Sequence, residues 1–223
     1  MQIAENLYQK NLAFWETAWS RVKTPSTNIP ESMAYLLEAP EIFKTNKCKN
    51  ILDIACGSGW LSFLLAENGF DVTGIDISKS AIKLAKSVQE QRQENKIDFI
   101  ELDMFAMKFG KNQFDGILVN ACLEHLDLAR GEQFIANIKE ILKPEAVMFG
   151  VFDKVGTSDK GEYEVLDDGT QQYKDEFRNG MFLRNYSDEE LKQLFAKHSW
   201  QIESLKYNSY GSRIIVAKNQ KAI

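Results

Sequence analysis

Short apolar runs alternate with helical segments between residues 49 and 152, and this alternation constrains the fold more than any other feature of the chain. The strand-like runs are NILDIA, DVTGID, KIDFIELD, FDGILVN and AVMFGVF. Segments with apolar residues at helical spacing lie between them, as in WLSFLLAEN and SKSAIKLAKSVQEQRQ. Strands that alternate with helices form right-handed crossover units, so both faces of a parallel sheet are covered. We therefore predict an α/β fold with helices on both faces of the sheet.

The segments outside this alternation complete the predicted architecture. Residues 2–21 have the apolar spacing of a helix, and ESMAYLLEAPEIF predicts a second short helix that is broken by Pro40. The segment GEQFIANIKEILKP predicts a helix that ends at Pro144. Ser187 to Glu190 fit a capping box, and WQIESLKYN and SRIIVAKN then predict an antiparallel strand pair.

The chain of 223 residues suits a single domain with one core. We divide it into an N-terminal helical cap (1–45), a cofactor-binding core (46–152), an insertion or lid (153–186) and a C-terminal helix with an antiparallel hairpin (187–223). The insertion is assigned because this stretch is polar, contains four glycines and interrupts the strand–helix rhythm.

The turn after the first strand has the character of a ligand-binding loop. Glycines at 57 and 59 let a ligand approach the backbone, and the following helix offers unpaired N–H groups. The third glycine of a dinucleotide motif is absent. Asp53 would also place a carboxylate just before the loop that receives a pyrophosphate. Both features disfavour a nicotinamide cofactor.

Three acids at successive strand ends match the donor groups of S-adenosylmethionine. Asp53 can serve its ammonium group, directly or through water, and Asp76 can accept from both ribose hydroxyls. Asp103 can accept from the adenine amine, while the backbone N–H of Met104 can donate to the ring. In open α/β sheets, ligands bind at the carboxyl ends of the strands, where these residues fall.

These motifs resemble those of class I S-adenosylmethionine-dependent methyltransferases. The matching stretches are ILDIACGSG, VTGIDIS, IELDMF and FDGILVNACLEHL, within residues 49–152. The resemblance implies a Rossmann-like, seven-stranded, mostly parallel sheet of order 3-2-1-4-5-7-6 with an antiparallel last strand. It also implies S-adenosylmethionine as methyl donor, with Ala55, Gly57, Gly59, Ile77 and Asn120 among the cofactor-binding residues.

Three further features concern the acceptor side of the predicted site. Trp15 and Trp19 share a helix face, either to pack the helix onto the domain or to border the sulfonium as a lid. His125, after the fourth strand, is the candidate general base, and its alternative role is in the pocket wall. The insertion supplies a third candidate group, whose arginines and tyrosines would hold a small carboxylate-bearing or aromatic acceptor. This group consists of Tyr163, Tyr173, Phe177, Arg178, Arg184 and Tyr186.

The composition of the chain argues against several classes of binding partner. The net charge is −5, and no basic stripe for phosphates is present, so we expect no nucleic-acid partner. No apolar run approaches a membrane span, and we expect no membrane association. The three cysteines lack zinc spacing, which indicates reduced cytoplasmic thiols and no metal site.

The predicted function is transfer of a methyl group from S-adenosylmethionine to a small molecule by in-line displacement. A nicotinamide-dependent oxidoreductase and a non-catalytic partner subunit of the same fold are the alternatives.

Overall fold

The main sheet of the protein has seven strands in the order β3-β2-β1-β4-β5-β10-β9. The computed structural model describes residues 2–25, 31–154 and 161–220, so parts of the loop after the first helix and of the insertion lie outside the described residues. The strands of this sheet are β1 (Asn50–Ile54), β2 (Asp71–Asp76), β3 (Ile97–Glu101), β4 (Phe114–Asn120), β5 (Leu142–Phe152), β9 (Trp200–Tyr207) and β10 (Arg213–Asn219). Strand β10 is antiparallel to both of its neighbours, whereas β1 to β5 pair in parallel. Counted within this sheet alone, the order is the predicted 3-2-1-4-5-7-6, and the fold class is confirmed.

Helices cover both faces of the sheet. The α-helices are α1 (Gln2–Ser20), α2 (Ala39–Thr45), α3 (Trp60–Glu67), α4 (Lys79–Arg92), α5 (Leu128–Ile141) and α6 (Asp188–Lys197), and 3-10 helices cover Glu31–Glu38 and Leu123–His125. Apolar side chains of α2, α3 and α4 form one buried cluster with the sheet. Those of α5 and α6 form the other cluster, which Tyr8 of α1 joins. The core therefore lies in two layers, one on each side of the strands.

Side-chain caps fix where two helices begin. The Ser78 side chain accepts from the Ala81 N–H at the start of α4, as its position after β2 predicts. Ser187 and Glu190 form the predicted capping box at the start of α6. The first of these caps matters for function, because it holds the start of α4 beside Asp76.

Two prolines lie where the sequence interpretation did not put them. Pro40 is in the first turn of α2, which follows the 3-10 helix directly, so it opens a helix instead of breaking one. Pro144 lies inside β5, and α5 ends earlier, at Ile141. The pairing of β4 with β5 is irregular at this point, between Phe114 and Gly116. This irregularity is where a residue without an N–H is tolerated in a strand.

The insertion contains a small antiparallel sheet of its own. Its strands are β6 (Tyr163–Val165), β7 (Gln171–Tyr173) and β8 (Phe182–Leu183), in the order β6-β7-β8. Beyond β8, the Arg184 N–H donates to the carbonyl of Glu124 in the second 3-10 helix. The insertion is thereby joined to the loop that follows β4.

Candidate functional site

The loop after β1 needs glycine at two positions for two different reasons. Gly57 has a φ of +55°, and a Cβ there would lie 2.5 Å from a ring atom of Trp19. Gly59 has a φ of +82°, and a Cβ there would lie 2.4 Å from the ring of Phe99. Gly57 therefore lets α1 close onto the loop, whereas Gly59 lets α3 begin against β3.

Asp76 is held by the backbone on both sides of its carboxylate. Its Oδ2 accepts from the Gly57 N–H at 2.9 Å, and its Oδ1 accepts from the Ser78 N–H at 2.8 Å. The side chain is buried at the end of β2, and burial raises its pKa. Each oxygen keeps a second lone pair, so the fixed carboxylate can accept two further hydrogen bonds.

Asp53 lies deeper and has a weaker set of partners. Its Oδ2 accepts from the Ser62 hydroxyl of α3 at 2.6 Å. Burial, with the nearby negative charge of Asp76, raises the pKa of Asp53 to about 7. A positively charged ligand group beside Asp53 would favour its ionised form.

Asp103 follows β3 in a half-buried turn. Its Oδ1 accepts from the Phe105 N–H at 2.8 Å, and its carbonyl accepts from the Ala106 N–H. The side chain thereby fixes the loop that carries Met104. The three predicted acids thus line one edge of the sheet, at the carboxyl ends of β1, β2 and β3.

A cavity of about 250 Å³ opens at this edge. It brings together ten of the eleven residues that the sequence assigned to cofactor binding, and His125 as well. These are Trp15, Trp19, Asp53, Ala55, Gly57, Asp76, Ile77, Asp103, Met104, Asn120 and His125. Gly59 is not in the wall, because it faces Phe99 at the start of α3.

Helix α1 closes the cavity from the side opposite the sheet. Trp19 lies over Gly57, and the Trp15 ring meets the His125 ring edge-on at 4.5 Å between centroids. Between them, the Glu16 carboxylate accepts from the hydroxyls of Ser78 and Ser80, both at 2.6 Å. The two tryptophans are therefore part of the cavity wall and also part of the packing of α1.

His125 is oriented by a backbone carbonyl. Its Nδ1 lies 2.9 Å from the carbonyl oxygen of Phe182 in β8. A carbonyl only accepts, so Nδ1 carries the proton in this contact. In the neutral ring the lone pair is then on Nε2, the tautomer required for a base at that atom.

Sequence reasoning missed three wall residues of α1, Tyr8, Asn11 and Leu12. All three share the helix face that carries Trp15 and Trp19, at spacings of three or four. That periodicity was the available signal, since residues at these spacings lie on one side of a helix. The polar Asn11 on this otherwise apolar face was the residue that most needed an explanation.

The arginines and tyrosines of the insertion do not line the cavity. Tyr173 and Tyr186 are buried in the protein interior. Arg178 pairs with Asp175, and Arg184 pairs with Glu190. These side chains build the insertion, so their predicted contact with an acceptor is wrong for the cavity described.

Neither a membrane-spanning helix nor a metal-binding cluster is found within residues 2–25, 31–154 and 161–220. No helix there is long and apolar enough to cross a membrane. In the same ranges, no cluster of three or more His, Cys, Asp or Glu side chains is suited to a metal ion.

The central segment of the chain is similar in sequence to known methyltransferases. Residues 51–145 match the model of a methyltransferase domain family. Over 105 residues the chain is 37% identical to a ubiquinone biosynthesis O-methyltransferase of Coxiella burnetii, covering 47% of this chain and 44% of that protein. The chain spans about half the length of the curated relatives it matches.

Solved structures share the fold at lower identity. A Pyrococcus horikoshii protein superposes with a TM-score of 0.69 at 24% identity, covering 86% of this chain and 93% of that one. A Burkholderia thailandensis 1,6-didemethyltoxoflavin-N1-methyltransferase, solved with bound 1,6-didemethyltoxoflavin and S-adenosylhomocysteine, superposes with a TM-score of 0.68 at 17% identity. The coverage is 86% of this chain and 79% of that one. The domain match over residues 51–145, the order of the strands and the residues lining the cavity all agree with the predicted resemblance to class I S-adenosylmethionine-dependent methyltransferases.

Proposed function

We propose that this protein transfers a methyl group from S-adenosylmethionine to a small acceptor that carries no negative charge. The observation that carries the proposal is Asp76, a buried carboxylate fixed by two backbone N–H groups in the wall of a cavity beside a glycine loop. The donor supplies a methyl group on a sulfonium, which is already a good leaving group. The protein then has to bind both molecules, align them and exclude water.

The residues of the wall suit this donor. Asp76 would hold the ribose hydroxyls, since both its oxygens retain accepting capacity at a fixed position. Asp53 would meet the ammonium group, and Asp103 with the Met104 N–H would meet the adenine. A carboxylate at the start of the glycine loop would repel the pyrophosphate of a nicotinamide cofactor, which disfavours the oxidoreductase alternative.

The composition of the cavity wall disfavours an acceptor that carries a negative charge. Of the described residues, those lining the cavity include three aspartates and no lysine or arginine. An acceptor with a carboxylate or phosphate would lose its hydration there without gaining a cation. The remaining wall is largely aromatic and aliphatic, including Tyr8, Leu12, Trp15 and Leu126. A small molecule is favoured over nucleic acid because α1 covers the cavity.

His125 is proposed as the group that takes a proton from the acceptor. Its ring lies in the wall, and the bond to the Phe182 carbonyl leaves the lone pair on Nε2. A base is useful when the acceptor is a hydroxyl, which is the kind of group that the name of the Coxiella relative indicates for that protein. We also propose a cytoplasmic location, since all three cysteines are free thiols.

Ligand binding tests the cofactor. S-Adenosylhomocysteine should raise the melting temperature of the protein, because a ligand that binds only the folded state stabilises it. NAD should leave the melting temperature unchanged. A shift with NAD and none with S-adenosylhomocysteine would reject the proposal.

Turnover tests the reaction. Protein incubated with methyl-labelled donor and a metabolite extract should produce labelled small molecules that mass spectrometry resolves, and His125→Gln should reduce their yield. Binding of the donor without labelled products from any extract would favour the non-catalytic alternative.

A further inference from the structure

Three hydrogen bonds join helix α1, the loop after β4 and the insertion in a closed ring. The Asn11 Nδ2 donates to the His125 carbonyl at 2.9 Å, and the Asn11 Oδ1 accepts from the Phe182 N–H at 2.9 Å. The ring is completed by His125 Nδ1, which donates to the Phe182 carbonyl at 2.9 Å. Each of the three residues is therefore bonded to the other two.

The closed ring of three hydrogen bonds permits only one orientation of the Asn11 amide. The Phe182 N–H can only donate and the His125 carbonyl can only accept, so the amide oxygen must face Phe182 and the amide nitrogen must face His125. Asn11 is 2% exposed, so water cannot readily replace either partner. The amide oxygen and the amide nitrogen of Asn11 are therefore both bonded to backbone groups that determine the position of His125.

The position of Phe182 explains why these bonds matter. Strand β8 is an edge strand of the small sheet, and its outward N–H and C=O groups at Phe182 are satisfied by Asn11 and His125. Without Asn11, the Phe182 N–H and the His125 carbonyl would both lose a buried partner. The backbone of either segment would then shift. This shift would disturb the contact of His125 Nδ1 with the Phe182 carbonyl.

We propose that Asn11 is a positioning residue, which holds His125 in the Nδ1–H tautomer by fixing the distance between the His125 loop and β8. This proposal about Asn11 depends on the proposed function only in the experiment that measures turnover. The state of the His125 ring can be measured without donor, acceptor or activity.

Imidazole nitrogen NMR tests the proposal directly. The chain has two histidines, so the spectrum of untagged protein contains two rings, and His198→Gln assigns them. Spectra are recorded at about pH 8.5, where an imidazole with the usual pKa of about 6.5 is neutral. The native protein should show His125 as a single Nδ1–H tautomer.

Asn11→Asp separates the two bonds. The carboxylate still accepts from the Phe182 N–H but cannot donate to the His125 carbonyl, and it faces that oxygen with a negative charge. His125 should then appear as a mixture of tautomers. Asn219→Asp is the matched control, because Asn219 is also buried and donates its side-chain N–H to a backbone carbonyl, that of Lys143, away from the cavity. This control should leave the His125 signals unchanged.

Turnover gives a second readout. In Asn11→Asp, kcat should fall by about a hundredfold, the loss that a misplacement of about 1 Å can cause. The affinity for S-adenosylhomocysteine should fall by less than kcat. A merely structural role would lower both through the fraction of folded protein, which circular dichroism measures.

The proposal is overturned if folded Asn11→Asp keeps the native His125 spectrum. If this variant does not fold, Asn11→Ser takes its place, because its hydroxyl is too short to join both partners, and the same outcome decides. A native protein that shows the Nδ1–H tautomer but methylates nothing would reject the proposed function and leave the role of Asn11 supported.

Discussion

Asp53 and Asp76 are both buried, yet their surroundings give them different electrostatic properties. Asp76 accepts from two backbone N–H groups, which offset part of the cost of burying a carboxylate. Burial raises the pKa of Asp53 to about 7, the nearby charge of Asp76 adds to this effect, and the Ser62 hydroxyl offsets only part of it. At the scale of single residues, Asp76 is suited to accept from neutral donors and Asp53 to meet a cation.

Asp76→Ala should weaken binding of S-adenosylhomocysteine about ten- to a hundredfold. The reason is the loss of hydrogen bonds to a charged group, worth about 1.5–3 kcal/mol. Calorimetry measures the affinity, and circular dichroism verifies the fold. Asp71→Ala, at the exposed start of the same strand, is the control and should bind normally. Native affinity in Asp76→Ala would show that this carboxylate does not contact the donor.

Donor binding should also depend on pH through Asp53. Below pH 7 the free protein holds a proton on Asp53, and a cationic ligand group must displace it. Affinity for S-adenosylhomocysteine should therefore rise about tenfold between about pH 6 and 8, with proton release on binding. Asp53→Asn should remove most of this dependence. Equal affinity at both pH values in the native protein would place the ammonium group away from Asp53.

At the scale of elements, helix α1 forms one wall of the cavity. It reaches the glycine loop through Trp19, the start of α4 through Glu16 and the His125 loop through Asn11 and Trp15. A ligand enclosed by these contacts enters only if some of them open. Glu16 is half-buried whereas Asn11 is buried, so we expect any opening of α1 to begin at the serine contacts of Glu16.

Hydrogen exchange should detect this opening. Residues 2–20 should exchange more slowly with S-adenosylhomocysteine bound, and by a larger factor than the core strands, because the ligand closes the helix over the cavity. Glu16→Ala should speed their exchange in the free protein, whereas Gln9→Ala, on the exposed side of α1, should not. Equal protection with and without ligand would assign Trp15 and Trp19 to packing alone.

At the scale of the whole molecule, Arg213 fastens the insertion to the main sheet. It is buried at the start of β10 and donates to the carbonyls of Asp153 and Tyr186, the two ends of the insertion. It also pairs with Asp188 at 3.3 Å. The insertion, which contacts His125 through β8, is therefore anchored at both of its ends to strand β10 of the main sheet.

Arg213→Met should lower the free energy of unfolding by about 1–3 kcal/mol, because the carbonyls of Asp153 and Tyr186 would lose their buried donor. Urea unfolding measures the change. Lys218→Met is the matched control on the same strand; its pair with Glu203 is partly exposed, and its loss should cost less than about 1 kcal/mol. Equal effects of the two substitutions would show that Arg213 does not anchor the insertion.

The sequence alone determined the order of strands and helices and the edge of the sheet at which the site lies. Apolar periodicity is a local property, and the carboxyl ends of parallel strands meet at one edge whatever the details of packing. The sequence alone therefore predicts that Asp53, Asp76 and Asp103 belong to one site. The capping serines were equally readable, because their partners lie three residues away.

Only the tertiary structure decided how the segments outside that alternation meet the site. The contact of Asn11 with His125 spans 114 positions of sequence, and that of Asn11 with Phe182 spans 171. No local pattern encodes such pairs, because they depend on how α1 and β8 dock onto the sheet. The same reason accounts for Glu16 against Ser78 and for the insertion residues that turned out to be buried structural groups. The donor side of the site follows from strand ends and was predictable, whereas the acceptor side is built by docking and was not.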